Sequence, residues 1–322
     1  MPDAGLCVCV IGRNEGARLR AALSVVRDRG VRRVYVDSAS TDDSVEIAQG
    51  YAPDVDLVQI PVDEAGTASL GRNRGFEFFE REVGDFEFVQ FVDGDCVLAD
   101  DWLDTALAHM REHPDVGILA GRLREEYRER NVYHRLADME WDTPTGDVEA
   151  VGGICMVRAE VFRAVGGQDA AVAQGEEAEF AQRVRDQGYR VVRLEDDMAR
   201  HDIAMGEFAA WWRRTSREGQ AVAEALVRNG LSDRESRRDL ASMLLWGATL
   251  PTTAAALALP SLGLSLGLLA GYPLLWTRVR NYRLRQGDEA RDASLYATAT
   301  VLGKIANAAG VAKYASRLAR GE

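Results

Sequence analysis

The sequence predicts an α/β protein, a mainly parallel sheet with helices on both faces, joined to a C-terminal helical region. Three observations carry that reading. Short apolar runs alternate with helical patterns through the first half of the chain. Several of those runs end in polar or acidic residues. Residues 240–277 then hold no charged side chain in 38 positions, long enough for the helical region to be membrane-embedded.

The elements follow in order. "LCVCVIG" (6–12) is an apolar run closing on glycine and reads as a buried strand. Residues 14–30 place Leu19, Leu23 and Val26 on one helical face, with Gly30 as a stop. Residues 31–38 form a second strand. Ser40 or Thr41 caps the next helix, and Asp42 and Asp43 face the positive end of its dipole. Residues 55–61 are a third strand and 69–82 a helix. "FEFVQFV" is a fourth strand reaching Asp93, and the helix after it stops at Pro114. Such sheets bind ligands beyond the carboxyl ends of their strands. Gly12-Arg13-Asn14, Asp37-Ser38 and Asp93-Gly94-Asp95 all fall at such ends.

The 322 residues are 47% hydrophobic and carry a net charge of −12, which argues against a nucleic-acid binder. The charge is uneven. Residues 240–322 carry nine basic and four acidic side chains, or +5, which leaves −17 for residues 1–239. Two parts with different surroundings are expected, divided at 239/240. Cys7, Cys9, Cys96 and Cys155 form no Cys-x-x-Cys pair and are expected as reduced core thiols. No charged leader precedes a long apolar run at the N-terminus, so no signal peptide is expected.

Pro251, Pro260 and Pro273 interrupt the uncharged stretch, so two short helices turning near Pro260–Gly263 fit better than one. Arginines flank it at both ends: Arg234, Arg237 and Arg238 before, and Arg278, Arg280, Arg283 and Arg285 after. Basic flanks keep both ends cytoplasmic, which predicts a membrane-embedded hairpin. The alternative is a buried helical pair or an oligomer contact. Residues 293–320 are Ala-rich and basic, and either lie on the membrane surface or pack on the domain.

Two carboxylates separated by one glycine, Asp93 and Asp95, repel and need compensation. A hard cation such as Mn2+ or Mg2+ with a phosphate-bearing ligand supplies it. "VCVIGRNEGARLRAAL", "VYVDSASTDDSVEIA", "GRNRGFE", "FVQFVDGDC", "GGICMVRAEVFRAVGG" and "GEEAEFAQRVRDQGYRVV" occur in that order. Together they resemble the successive motifs of inverting family 2 glycosyltransferases of the GT-A fold, over about residues 6–205.

The resemblance implies roles position by position. Ile11, Arg13, Asn14 and Glu15 lie beside the nucleotide base and ribose. Arg13 stands where the family often has an aromatic ring, and its planar guanidinium can stack in the same way. Asp37 accepts from the base, and Ser38 replaces a frequent second Asp. Arg72, with Asn73, steadies the nucleotide phosphates. Asp93 contacts the ribose or a metal-bound water, Asp95 ligates the metal, and His201 stands close to metal and diphosphate. Glu177 is the catalytic base, with Glu176 as its substitute, because a carboxylate must take the proton of the attacking hydroxyl. Glu179 is structural. Gly152 and Gly153 let the backbone pass close to the sugar. Trp141, like Trp211 and Trp212, is either a sugar-stacking face or core.

The expected function is metal-dependent, inverting transfer of one sugar from a nucleoside-diphosphate sugar to a saccharide or lipid-linked acceptor, at the cytoplasmic face of a bacterial inner membrane. "AWWRRTSREGQA" lacks the Gln-x-x-Arg-Trp segment of processive members, so single-sugar transfer is expected. Two rivals remain. A non-catalytic sugar-nucleotide or glycan-binding membrane protein fits Glu in place of Asp. A nucleotidyltransferase would show a Gly-rich loop with an N-terminal Lys, yet no Lys precedes Lys304.

Overall fold

The computed structural model describes residues 5–24, 30–64, 66–172, 175–230 and 234–320. The chain forms two compact units, Met1–Glu126 with Trp141–Asp202, and Tyr127–Glu140 with Ile203–Glu322.

The first unit opens with β1 (Leu6–Gly12), α1 (Arg18–Ser24), β2 (Arg32–Asp37), α2 (Ser44–Gln49), β3 (Asp56–Gln59), α3 (Ala68–Glu82) and β4 (Phe88–Asp93). β1 is apolar throughout because helices cover both faces of a parallel sheet, and Leu6 to Ile11 are all buried. Val26 lies outside the described residues. The expected cap of α2 is displaced: Ser40 and Thr41 hold the loop after β1 instead, and the helix begins at Ser44.

β5 (Cys96–Leu98), α4 (Trp102–Glu112) and β6 (Val116–Glu125) come next, followed by α5 (Val132–Trp141), β7 (Gly146–Asp147), β8 (Cys155–Arg158), α6 (Ala159–Ala164), α7 (Glu176–Asp186) and β9 (Arg190–His201). The sheet runs β3-β2-β1-β4-β8-β6-β9-β5, with β7 on β9. β3, β2, β1 and β4 are parallel, as are β6 and β9. β8 is antiparallel to both neighbours, and β5 and β7 are antiparallel to β9. The sheet is therefore mixed: it is wholly parallel from β3 to β4, and beyond β4 only the β6–β9 pair is parallel. Between β6 and β8 the chain leaves the unit for residues 127–140. α5 and β7 lie in that connection, and β8 returns antiparallel to β6.

α3 seats tightly on β1. A Cβ on Gly75 would stand 2.1 Å from Cys9 Sγ, so glycine sets the helix–sheet distance. All four cysteines are free and buried. Burial pushes the Cys7 and Cys155 thiols up to about 12, well away from reactive thiolates.

The second unit is helical. α8 (Phe208–Asn229), α9 (Arg234–Leu244), a π-helical turn (Leu245–Thr249), α10 (Leu250–Ala256), a 3-10 segment (Leu264–Ala270), α11 (Gly271–Arg285) and α12 (Ala290–Arg320) succeed one another. α12 contains residues 293–320 and packs on α8, α11 and α9. Among the described residues no helix is long and apolar enough to cross a membrane. The expected hairpin turn is present, with Leu262 and Gly263 left-handed at φ 52° and 86°. Proline and glycine cut the uncharged stretch into pieces too short to span a bilayer.

Gly75→Leu is expected to lower stability by about 1–3 kcal/mol through overpacking against Cys9. Urea unfolding followed by circular dichroism measures this, and an unchanged midpoint would show that α3 is free to shift.

Candidate active site

The carboxyl ends of three strands stand level, since Gly12 pairs with Asp37 and Ile11 with Asp93. β2 and β3 lie to one side of β1 and β4 to the other, so the strand order reverses here and opens a crevice.

The loop after β1 is held by side chains from the loop after β2. Asn14, at φ 60°, accepts from Thr41 N at 2.7 Å, and its own N donates to Ser40 Oγ at 2.9 Å. The N–H groups of Glu15 and Gly16 both donate to Ser44 Oγ at 3.0 Å. Arg13 is exposed, whereas Ile11 is core and its carbonyl accepts from Gly94 N at 2.7 Å. Asp37 reaches the rim yet is 1% exposed. One of its oxygens accepts from Ser40 N at 2.9 Å and the other from Tyr35 OH at 3.2 Å. Ile11, Asn14 and Asp37 thus build the rim, and Arg13 projects from it.

Arg72 stands at the centre of the crevice, 2% exposed. Its Nη2 meets Asp93 Oδ1 at 3.2 Å and its Nη1 donates to Gln168 Oε1 at 3.3 Å. Among the described residues its Nε is buried with no hydrogen-bond partner. Burial works against this charge, but Asp93 first, then Glu177, outweigh it and hold the proton on. Asn73 closes the arrangement: its amide donates to Gln168 O at 2.7 Å and accepts from Gln168 N at 2.9 Å. Gly153 is required by the same cation, because a Cβ there would lie 1.7 Å from Arg72 Nη2. A side chain on Gly152 would meet open space.

Beyond Asp93 the charge changes sign. Asp95 Oδ2 lies 3.0 Å from His201 Nε2 and 3.5 Å from Arg18 Nη1. Burial alone would raise the Asp95 carboxyl; the His201 hydrogen bond and charge outweigh it and hold it below the usual range. His201 answers in kind: burial lowers its pKa and Asp95 more than restores it. Trp141 stacks on the imidazole at 4.9 Å and 19°, which fixes the ring plane. Trp211, by contrast, is core of the helical unit.

Ligand-capable atoms of Asp95, Cys96 and His201 lie within 4.8 Å of one another. Asp93 is not in that group and turns to Arg72. Burial and neighbouring carboxylates keep the Cys96 thiol protonated, which leaves an oxygen and an imidazole nitrogen as donors. Glu15 stands close enough for Asp95 to raise its carboxyl further, after burial has already done so. One imidazole, one low-pKa carboxylate and adjacent acids fit Mn2+ or Mg2+.

Glu176 and Glu177 begin α7, behind Gly175 at φ 75°. Burial and then the charge of Glu176 raise the Glu177 carboxyl, while Arg72 opposes them. Glu177 is thus within electrostatic reach of Arg72 and Asp93. Glu179 faces away, in a two-pronged pair with Arg183 at 2.6 and 2.8 Å. Arg183 in turn donates to the carbonyls of Val165 and Gly167. Gln168 went unread in the sequence; its signal was a polar residue directly after Gly166-Gly167 and before the acidic helix.

The glycosyl transferase family 2 model matches residues 7–164. The model of glycosyl transferase family group 2 matches residues 88–280, more than half of the chain. The chain belongs to that family group. Its similar solved structures include the mannosyltransferase PcManGT from Pyrobaculum calidifontis in complex with GDP-Man and Mn2+. Identity to it is 22% and the TM-score 0.60, covering 97% of this chain and 89% of that one. S. aureus TarS aligns at 17% identity and a TM-score of 0.49, covering 76% of this chain and 47% of that one, so this chain spans about half its length. TarS 1-349 in complex with UDP-GlcNAc aligns at 16% identity and a TM-score of 0.49, over 98% and 92% of the two chains. No curated protein sequence matches. The family match runs from β4 on into the helical unit, past residue 205 where the motif resemblance ended.

Asp95→Asn and His201→Ala are each expected to weaken Mn2+ binding at least about tenfold, read from the electron paramagnetic resonance of free Mn2+. Unchanged affinity in both would move the metal elsewhere.

Proposed function

We propose that this family member transfers one sugar, with inversion, from a nucleoside-diphosphate sugar to a hydroxyl of a saccharide or lipid-linked acceptor. The carrying observation is that Arg72 with Asp93 at 3.2 Å and Asp95 with His201 at 3.0 Å come together at the strand ends, with the partly buried Glu177 in electrostatic reach of Arg72. In the single displacement, the acceptor oxygen attacks the anomeric carbon as its proton passes to a Glu177 oxygen. The bond from that carbon to the diphosphate oxygen breaks, and the electron pair leaves with the nucleoside diphosphate. Desolvation raises the proton affinity of Glu177, which suits a base working on a neutral hydroxyl.

Arg72 is fixed on both sides, so the guanidinium presents an oriented positive charge to phosphate oxygens. Asp93 holds Arg72 and offers its free oxygen to the ribose. Asp95 and His201 would hold a divalent cation, which supplies charge neutralisation of the diphosphate when bound. Trp141 keeps the His201 ring in plane. Arg13, exposed at the rim, stacks on the base, and Asp37 supports the loops that receive it. We place the reaction at the cytoplasmic face of a bacterial membrane, supported by the arginine-flanked uncharged segment 240–277. GDP-mannose, which the Pyrobaculum enzyme binds with Mn2+, is the first donor to test.

The rival is a binding protein without turnover. It is favoured by Glu177 standing where the family has Asp. Release of nucleoside diphosphate by the purified chain separates the two: Glu177→Gln is expected to lower the rate by about 10^2–10^4-fold, with donor affinity kept within about tenfold. Equal rates in wild type and variant would remove Glu177 as the base.

The pH dependence has a defined sign. Glu177 accepts a proton only when ionised, so kcat is expected to rise with pH through a value above the usual glutamate range. Glu176→Gln removes a like charge and is expected to move that rise to lower pH. A pH–rate profile that does not move would show that Glu176 and Glu177 do not interact.

A further inference from the structure

The uncharged segment ends in a bare apolar tip. Between Leu257 and Leu274, eight leucines are exposed, and Leu259, Leu262 and Leu264 are 90%, 95% and 84% exposed. Single exposed leucines are ordinary, but a contiguous group this dense marks an interaction surface.

Three features of the segment say what covers it. The first is the order of residue types along its length. α11 begins beside the leucine tip, carries Tyr272 and Trp276 in its first two turns, and then Arg278, Arg280 and Arg285. At 1.5 Å per residue, Leu274 to Arg278 is about 6 Å and Leu274 to Arg285 about 16 Å. The other arm repeats the order, with Arg237 and Arg238 in α9, Trp246 in the π-helical turn, then α10 and the leucines. Trp246 and Tyr272 meet at 5.8 Å, and Tyr272 OH donates to Trp246 O at 2.5 Å, so the two aromatic levels coincide. Leucine, then aromatic, then arginine is the order that hydrocarbon, interface and headgroups select.

The second feature is polar satisfaction. The hydroxyl of Ser261 donates to Leu257 O at 2.6 Å, that of Ser265 to Ala254 O at 2.8 Å, that of Thr252 to Ala248 O at 2.7 Å and that of Thr277 to Pro273 O at 2.8 Å. These four hydroxyls turn back on their own backbone, as an environment without water demands. The third is charge. No acidic residue lies between Asp239 and Asp288, while arginines close both arms, which matches anionic headgroups.

We infer that the 257–274 tip inserts into a single leaflet of an anionic membrane, held at headgroup depth by Arg278 and Arg285, without crossing the bilayer. This specifies how the chain meets the membrane. It rests on the membrane location proposed above and on nothing in the sugar chemistry.

Flotation of the full chain with vesicles tests it, using phosphatidylcholine alone and phosphatidylcholine mixed with phosphatidylglycerol. The wild type is expected to float with both and more with the anionic vesicles. The triple variant Leu259→Ser/Leu262→Ser/Leu264→Ser is expected to lose at least about tenfold in partitioning. Leu262→Asp, a change at the most exposed position that removes no packing, is expected to lose partitioning as well. Arg278→Gln/Arg285→Gln is expected to lose the anionic preference while still floating. Failure of the wild type to float with either vesicle would overturn the inference, as would unimpaired flotation of both leucine variants. A dimer in equilibrium sedimentation that the triple variant turns into a monomer, with no flotation, would assign the tip to a second copy of the chain. Donor turnover does not enter the readout, so a failed transferase reading leaves this result standing.

Discussion

A guanidinium buried in the middle of the crevice constrains everything around it. Removing an arginine from water costs several kcal/mol unless its charge is met. Arg72 is met on one side by Asp93 and on the other by the Gln168 amide. Gly153 has no side chain because the guanidinium occupies that space. Asn73 grips both main-chain groups of Gln168, so the segment before α7 is tied to α3. α7 carries the acid pair. One buried cation therefore relates the end of β4, the glycine loop before β8 and the start of α7.

The neighbouring charges divide the work by environment. Asp95 has a histidine and an arginine within 3.0 and 3.5 Å, and its carboxyl is held low. Glu177 has burial and a like-charged neighbour, and its carboxyl is pushed up. Two carboxylates in one unit are thus shifted in opposite directions, the pattern that the proposed roles of cation ligand and proton acceptor call for. The fixed rim between them comes from loop side chains. Asn14, Ser40, Thr41 and Ser44 meet backbone groups across the gap between β1 and β2, which leaves Arg13 free to project.

Much of this was legible in the sequence. The strand ends at Gly12, Asp37 and Asp93 could be placed because apolar runs in a parallel sheet stop where the chain meets solvent. Asp95, His201, Arg72 and Glu177 came from ordered motifs, and the geometry brings Asp95 to His201 and Arg72 to Asp93. Other assignments needed coordinates. Asp37 was legible as a strand-end acid, but not that its oxygens also accept from Tyr35 and Ser40. Gly153 looked shaped for a sugar and is shaped for Arg72. Gln168 carried no pattern, because its importance lies in contacts about 95 residues away along the chain. The antiparallel β8 could not be read either, since periodicity reports burial and not strand direction.

By itself the sequence determined the alternation of elements, the chemistry available at the strand ends and the absence of charge over residues 240–277. Those are local properties, set by residue type and spacing. Tertiary structure alone decided which carboxylate stays ionised and which is raised, because a pKa depends on burial and on charges brought together from distant segments. The prolines already predicted a break near Pro260–Gly263; tertiary structure decided that the leucines around that turn stay exposed. Hydropathy sums over a window and cannot tell a spanning helix from a folded tip, whereas backbone geometry at Leu262 and Gly263 can.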